Sequence, residues 1–427
     1  MPCIHASTVK KVLLGIDDTD SKKGMCTTYL VAVLVEALQN YGVKGYPRLI
    51  RLNPNIKYKT RGNGAVAIEI EAEEDQAMGI MDIAVRKVEE MAELDDPETN
   101  PGIVLLSHIP PEVEKFSERV VRDEVTIKEA MDLAKKYGMV HAFKNGRGVI
   151  GALAAIGFSL QDNYTYELVA YRHKERWGTP RRIDKTSVLE ADRATYPHTW
   201  DTVDLTNDKT VFSPHSPCPV LFGIRGDDVD AIEMAFKTIK SEEIERYVIF
   251  KTNQSTDAHI VTGKIASAKN GCSYVLGGTV VKQPHSILGG HVFFTIAENG
   301  HKIDCAAYEP TKKFRDVIRQ LRAGDEVLVY GSVKDKTVNL EKIEITSLKD
   351  QFVVRNPSCP KCQKRMKSSG KNQGYRCRKC GTKSQEEEIL LVPRCLEPGL
   401  YETPPCARRH ISKPLIRMSG GKIHPSR

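Results

Sequence analysis

Residues 12–16, Val-Leu-Leu-Gly-Ile, form a short apolar run without polar alternation, the pattern of a buried parallel strand. A helical pattern follows from about Gly24 to Asn40, with Leu30, Val31, Leu34, Val35 and Leu38 on one face. The alternating stretch Ala65–Ile70 reads as a strand, Gln76–Ala92 as a helix, Ile103–Ser107 as a strand and Val125–Tyr137 as a helix. Small residues from Val149 to Phe158 suit a helix packed tightly on a sheet. Strands at Tyr164–Tyr171, Cys218–Gly226 and Tyr247–Thr252, with a helix at Asp228–Ile239, continue the α/β texture to about His259. Two interleaved α/β subdomains are expected there.

From Ile260 the texture turns to β. Strands are expected at 273–283, 290–296 and 302–308, a helix at 311–321, then strands at 327–334 and 337–345. Three strands, a helix and two strands is the order of an OB-fold, a small barrel whose face and loops bind oligonucleotides. A purely structural barrel of the same order is the alternative.

A chain of 427 residues has room for about three domains. Its net charge of +8 is unevenly placed: residues 351–427 carry 17 of the 63 Lys and Arg but 5 of the 55 Asp and Glu, which leaves 46 against 50 for the rest. A concentrated basic end suits contact with a phosphate backbone. No apolar run approaches the roughly 18 residues of a membrane span. The first ten residues lack a signal-peptide core, so a cytosolic protein without membrane attachment is expected.

The 11 cysteines are scattered except for Cys359-x2-Cys362 and Cys377-x2-Cys380, with 14 residues between the pairs. That spacing places four thiolates around tetrahedral Zn²⁺ and leaves no open position for chemistry. A short β-ribbon around a structural zinc is expected at 351–385, followed by a Pro-rich basic tail at 386–427. The tail has too few bulky residues to fold alone; it could follow an RNA backbone or dock on a neighbouring domain.

Between the first strand and helix stands Asp17-Asp18-Thr19-Asp20-Ser21. Three carboxylates at a strand's carboxyl end can hold Mg²⁺ with a nucleotide, and a phosphate would meet the free N–H groups of the helix start near Thr27. A solvated turn uses the same residue types. Two glycine-rich basic loops could approach phosphates: one carries Lys59, Arg61, Gly62 and Gly64, the other Gly146, Arg147 and Gly148. His173 and Arg176 could contact a phosphate or base, or simply be solvated. Trp200, Asp201 and Asp204 could receive a cationic ligand or form an ordinary loop.

Gly15-Ile16-Asp17-Asp18-Thr19-Asp20-Ser21 with Gly24-Met25-Cys26-Thr27-Thr28 resembles the archaeal tRNA(Ile)-agmatinylcytidine synthetase family. So do residues 48–54, Tyr58 to Gly64, Gly146 to Ala155, Pro-Cys-Pro at 217–219, the OB-like segment, the paired cysteines and Ala407-Arg408-Arg409-His410. The resemblance implies a multidomain α+β chain. A kinase-like α/β domain would occupy 11–64 with 138–195, and a ferredoxin-like domain 65–137 with 196–259. An OB-fold at 260–350, a zinc ribbon at 351–385 and the tail would follow. The implied reaction attaches agmatine to the 2-position of the wobble cytidine of tRNA(Ile) with the CAU anticodon, with ATP ending as AMP. The cytidine's 2-oxygen would be phosphorylated first, and Thr27 would itself accept a phosphate. Asp17, Asp18 and Asp20 would bind Mg²⁺ and ATP, and Asp201 or Asp204 would help hold agmatine. No protein partner is implied. A non-catalytic OB-fold and zinc-ribbon RNA-binding factor would leave the aspartates unexplained. A metal-dependent nuclease would shorten RNA without ATP.

Overall fold

A computed structural model of the chain describes residues 10–60 and 62–427. Among them, a nine-stranded sheet forms the N-terminal body. Its first strand, β1 (Lys10–Asp17), leads through the acidic turn into α1 (Thr27–Ala37). Next come β2 (Val43–Arg51), β3 (Gly64–Ala72), α2 (Ala77–Met91) and β4 (Gly102–Leu106). Two helices, α3 (Pro111–Arg122) and α4 (Ile127–Tyr137), precede β5 (Gly138–Ala142) and α5 (Gly148–Gly157).

The second half runs β6 (Thr165–Arg172), α6 (Lys185–Thr195), β7 (Thr199–Trp200) and a small hairpin of β8 (Val203–Asp204) and β9 (Lys209–Thr210). It closes with β10 (Val220–Gly226), α7 (Val229–Thr238) and β11 (Ile244–Thr252). The sheet order is β5-β4-β1-β3-β2-β11-β6-β10-β7. Parallel pairing of β11 with β2 joins the halves.

The expected parallel environment of β1 is wrong: both its neighbours, β3 and β4, run antiparallel to it. An unbroken apolar run reports only that both faces are covered, here by α1 and α2 on one side and α5 on the other. The interleaved division also fails to follow the strand pairing. Residues 65–137 supply β3 and β4, both bonded to β1, so they build one half-sheet with residues 11–64.

The barrel departs from β12 (Ile260–Thr262) and consists of β13 (Ser273–Ser286), β14 (Val292–Glu298), β15 (His301–Ala307), β16 (Glu326–Lys334) and β17 (Thr337–Ser347). Helix α8 (Phe314–Arg319) sits between β15 and β16. Pairing runs β13-β14-β15-β17-β16 and back to β13, so the five strands close. This is the barrel, with its interposed helix, expected from the strand spacing.

A stalk of β18 (Gln351–Arg355) and a small sheet of β19 (Lys367–Ser368), β20 (Tyr375–Arg376) and β21 (Lys383–Ser384) carry the four cysteines. Strand β22 (Glu388–Val392) returns along β18, and β23 (Gly399–Glu402) rejoins the barrel on β17 before the final short strand β24 (Ile423–His424). The ribbon is thus an excursion from the barrel. The tail after it docks on the N-terminal body: His410 and Ile411 carbonyls accept from Ser255, Thr256 and Asp257 N–H groups. No helix among the described residues is long and apolar enough to cross a membrane.

Candidate functional site

The acidic turn is built tightly. Asp18 adopts a positive φ of 61°, turning the chain sharply at the end of β1. Thr19 is buried and its Oγ1 donates to Thr27 Oγ1 at 3.1 Å, tying the turn to the first residue of α1. That helix begins without a side-chain cap at Cys26, which leaves its first N–H groups open to an anion. Arg147 donates from Nε to Asp18 Oδ2 at 3.0 Å, and its Nη2 lies 2.9 Å from the same oxygen. The Arg147 guanidinium also approaches the Tyr58 ring at 5.7 Å.

Glycine at 151 lets α5 come down on the turn, since a Cβ there would overlap the Asp17 carboxylate. Burial, followed by repulsion from Asp18, pushes the Asp17 carboxyl well above its usual range. Burial likewise raises Asp18 to about 6, although Arg147 opposes the shift. Carboxylates held in this state have an unmet demand for positive charge.

A cavity of ≈ 960 Å³ opens from this turn and runs into the second half of the sheet. It lies at the upper end of ordinary ligand pockets and has room for more than one reactant. Asp17, Asp18, Asp20 and Thr27 line it, together with Lys59, Gly62, Gly64 and Arg147 from the basic loops. Arg61 lies outside the described residues. Gly146 and Gly148 are not in the wall. Gly146 takes a positive φ of 73° that shapes its loop, and Gly148 packs against Gly102 and the Asp17 carbonyl, where a Cβ would overlap both.

The far wall is built from the second half of the sheet and from the tail. Glu167 on β6 and Arg225 on β10 are register partners, and Arg225 Nε donates to Glu167 Oε1 at 3.1 Å. Arg51 Nη2 lies 3.5 Å from the other Glu167 oxygen, which also accepts from Gln254. The tail adds Cys406, Arg408 and His410 to the lining. The Arg408 side chain is buried and pairs with both Asp201 and Glu402, the latter at 2.8 Å.

The acidic-aromatic cluster is therefore largely committed. Trp200 is buried and donates from Nε1 to Ser255 Oγ at 3.0 Å. Asp204 does not line the cavity; its oxygens accept from Asn207 and from the Cys406 backbone N–H at 3.1 Å. Asp201 does line it, beside Arg408. His173 and Arg176 lie away from the cavity, and neighbouring Arg172 is wholly buried against Glu242 at 2.6 Å.

Among the described residues, one cluster has metal-ligand geometry: the sulfurs of Cys359, Cys362, Cys377 and Cys380 all lie within 4.8 Å of one another. Separations of 3.4 Å for Cys359–Cys380 and Cys362–Cys377 and 3.7 Å for Cys362–Cys380 approach the roughly 3.8 Å set by tetrahedral Zn–S bonds. The four residues fit zinc.

Comparison with known proteins agrees with this division. Residues 13–146 match the TiaS TCKD domain, 146–259 the TiaS FLD domain and 356–396 the TiaS C-terminal zinc ribbon domain. The chain is 50% identical to the isoleucine-tRNA 2-agmatinylcytidine synthetase TiaS of Methanosarcina mazei, across 95% of this chain and 97% of that one. Identity to the protein of the same name from Archaeoglobus fulgidus is 48%, across 96% and 98%. The structure is similar to a complex of TiaS with its isoleucine tRNA and ATP, with a TM-score of 0.91 and 46% identity, covering 98% of this chain and 100% of that chain. A complex of TiaS with the tRNA, AMPCPP and agmatine aligns with a TM-score of 0.88 and 44% identity, over the same shares.

Proposed function

Since the chain belongs to the family of isoleucine-tRNA 2-agmatinylcytidine synthetases, we propose that it joins agmatine to the wobble cytidine of tRNA(Ile) bearing the CAU anticodon, with consumption of ATP. The observation that carries this reading is the single cavity running from the carboxylate turn to the tail.

Asp17, Asp18 and Asp20 are the residues that would hold Mg²⁺. Oxygen donors around one turn, two of them raised by burial and mutual repulsion, suit a hard divalent cation. Bound there, the cation would neutralise charge on the ATP phosphates. Lys59, Gly62, Gly64 and Arg147 flank the phosphates, and Thr27, at the uncapped start of α1, is the phosphoacceptor side chain. The cytidine 2-oxygen is a poor leaving group until phosphorylated. Agmatine's amine then attacks C2, the C2–O bond breaks, and phosphate departs with that oxygen.

In this assignment the first half of the sheet is kinase-like. The succession β6-α6-β7-β10-α7-β11 supports a ferredoxin-like second half within residues 146–259. Asp201 belongs to the agmatine wall, whereas Asp204, with its oxygens taken by Asn207 and Cys406, does not.

Mass analysis of the tRNA after incubation with ATP and agmatine tests the reading. The expected gain is one agmatine less one water, abolished by Asp18→Ala. Unchanged RNA with ATP untouched would indicate a binding factor, and shortened RNA without ATP a nuclease.

A further inference from the structure

His410 lies in the tail segment that completes the cavity, with its side chain open to that space. Its Nδ1 stands 2.6 Å from Arg225 Nη2. A guanidinium has only donors, so Nδ1 must accept, and the ring proton is left on Nε2. Behind Arg225 stands Glu167, which receives Nε of the same guanidinium. A carboxylate, a guanidinium and an imidazole thus form a chain from β6 through β10 to the tail, fixing ring orientation and tautomer. Nε2 has no hydrogen-bond partner among the described residues. The Arg225 guanidinium foremost, with Arg51, holds the imidazole pKa well below its usual range, so the ring stays uncharged at neutral pH. An uncharged donor in a site of this kind polarises an oxygen without adding another cation.

The geometry points to His410 as a substrate-contacting residue, its imidazole held by Arg225 to donate Nε2–H to an oxygen of the wobble nucleotide. This inference rests on the function proposed above, which supplies the reactants. Agmatine's guanidinium carries donors only and offers Nε2–H no acceptor. The triphosphate belongs with the carboxylate turn. The cytidine 2-oxygen, or the phosphoryl group it carries, is the remaining acceptor. No bond to His410 forms or breaks; the donor stabilises negative charge as the C2–O bond is broken.

Glutamine at this position can accept from Arg225 through Oε1 and donate through Nε2, while leucine fills similar space and does neither. The test compares His410→Gln with His410→Leu for agmatine incorporation at saturating tRNA and agmatine, alongside melting temperature, ATP binding and tRNA affinity. The expected result for His410→Leu is a loss of turnover on the order of 100-fold with both affinities retained. His410→Gln should recover at least about tenfold of that loss. Parental turnover in the leucine variant, or equal losses in both, overturns the inference. If the leucine variant fails to fold, a folded glutamine variant keeping about a tenth of parental turnover supports it, and a loss beyond about 100-fold overturns it. Parental enzyme that adds no agmatine refutes the proposed function instead, so the two failures are distinguishable.

Discussion

Gly151 faces the Asp17 carboxylate so closely that any β-carbon must displace one or the other. Alanine gains about 1 kcal/mol of helix propensity over glycine, but overpacking here costs about 1–3 kcal/mol. Gly151→Ala is therefore expected to melt only slightly lower while losing at least about tenfold of tRNA- and agmatine-dependent ATP consumption, because Asp17 moves. Parental ATP consumption in that variant would show that the carboxylate position is not critical. The turn itself was legible: consecutive acidic residues between a strand and a helix carry their geometry in local order. The grouping of Glu167, Arg225 and His410 was not. His410 stands in the basic motif 407–410, but Glu167 and Arg225 are single polar residues within strand patterns, and only the register of β10 on β6 and the return of the tail bring the three together.

At the scale of elements, α2, the small-residue helix α5 and the barrel strands lie close to their expected bounds. Two helices were overlooked. α3 carries Pro111 at its first position, Glu112 and Glu114 in its first turn and Arg119 and Arg122 in its last, and α6 is capped by Asp184. Those termini are readable signals once sought. The ribbon was legible because metal spacing is a covalent-scale constraint. Cys377→Ser is expected to lower bound zinc from one per chain to near zero and to weaken tRNA binding. ATP binding should persist, because the ribbon contributes nothing to the cavity wall. Metal analysis with separate tRNA and nucleotide titrations decides this; full tRNA affinity in the zinc-free variant would confine the ribbon to a structural role.

Across the whole molecule, the barrel and the catalytic body meet through buried charge. His259 Nε2 lies 3.2 Å from Glu341 on β17, and Lys342 Nζ reaches Asp257 at 2.8 Å and Ser412 at 2.9 Å. Burial alone would raise the Glu341 carboxyl, but His259 and then Arg409 and Lys342 bring it down from 4.5 to about 2. A depressed folded-state pKa stabilises the fold fully above about pH 4.5, and that stability is lost as pH falls toward 2. The shift corresponds to about 3 kcal/mol. Glu341→Gln should flatten the acid limb of a melting-temperature profile between those values; an unchanged limb would place acid sensitivity elsewhere. The expected interleaving of subdomains failed because alternating strands and helices do not state which strands pair.

The return of the chain from the ribbon has a consequence for biosynthesis. Residues 403–417 emerge from the ribosome only after the sheet and barrel they bind, and the intervening ribbon, have been made. A polypeptide halted before Pro405 would still contain the acidic turn, the basic loops and the zinc cysteines, yet it would lack the tail's part of the cavity wall. Such a fragment could occupy nucleotide or tRNA without completing the reaction. Placing Arg408 and His410 so late makes translational completeness a condition of activity.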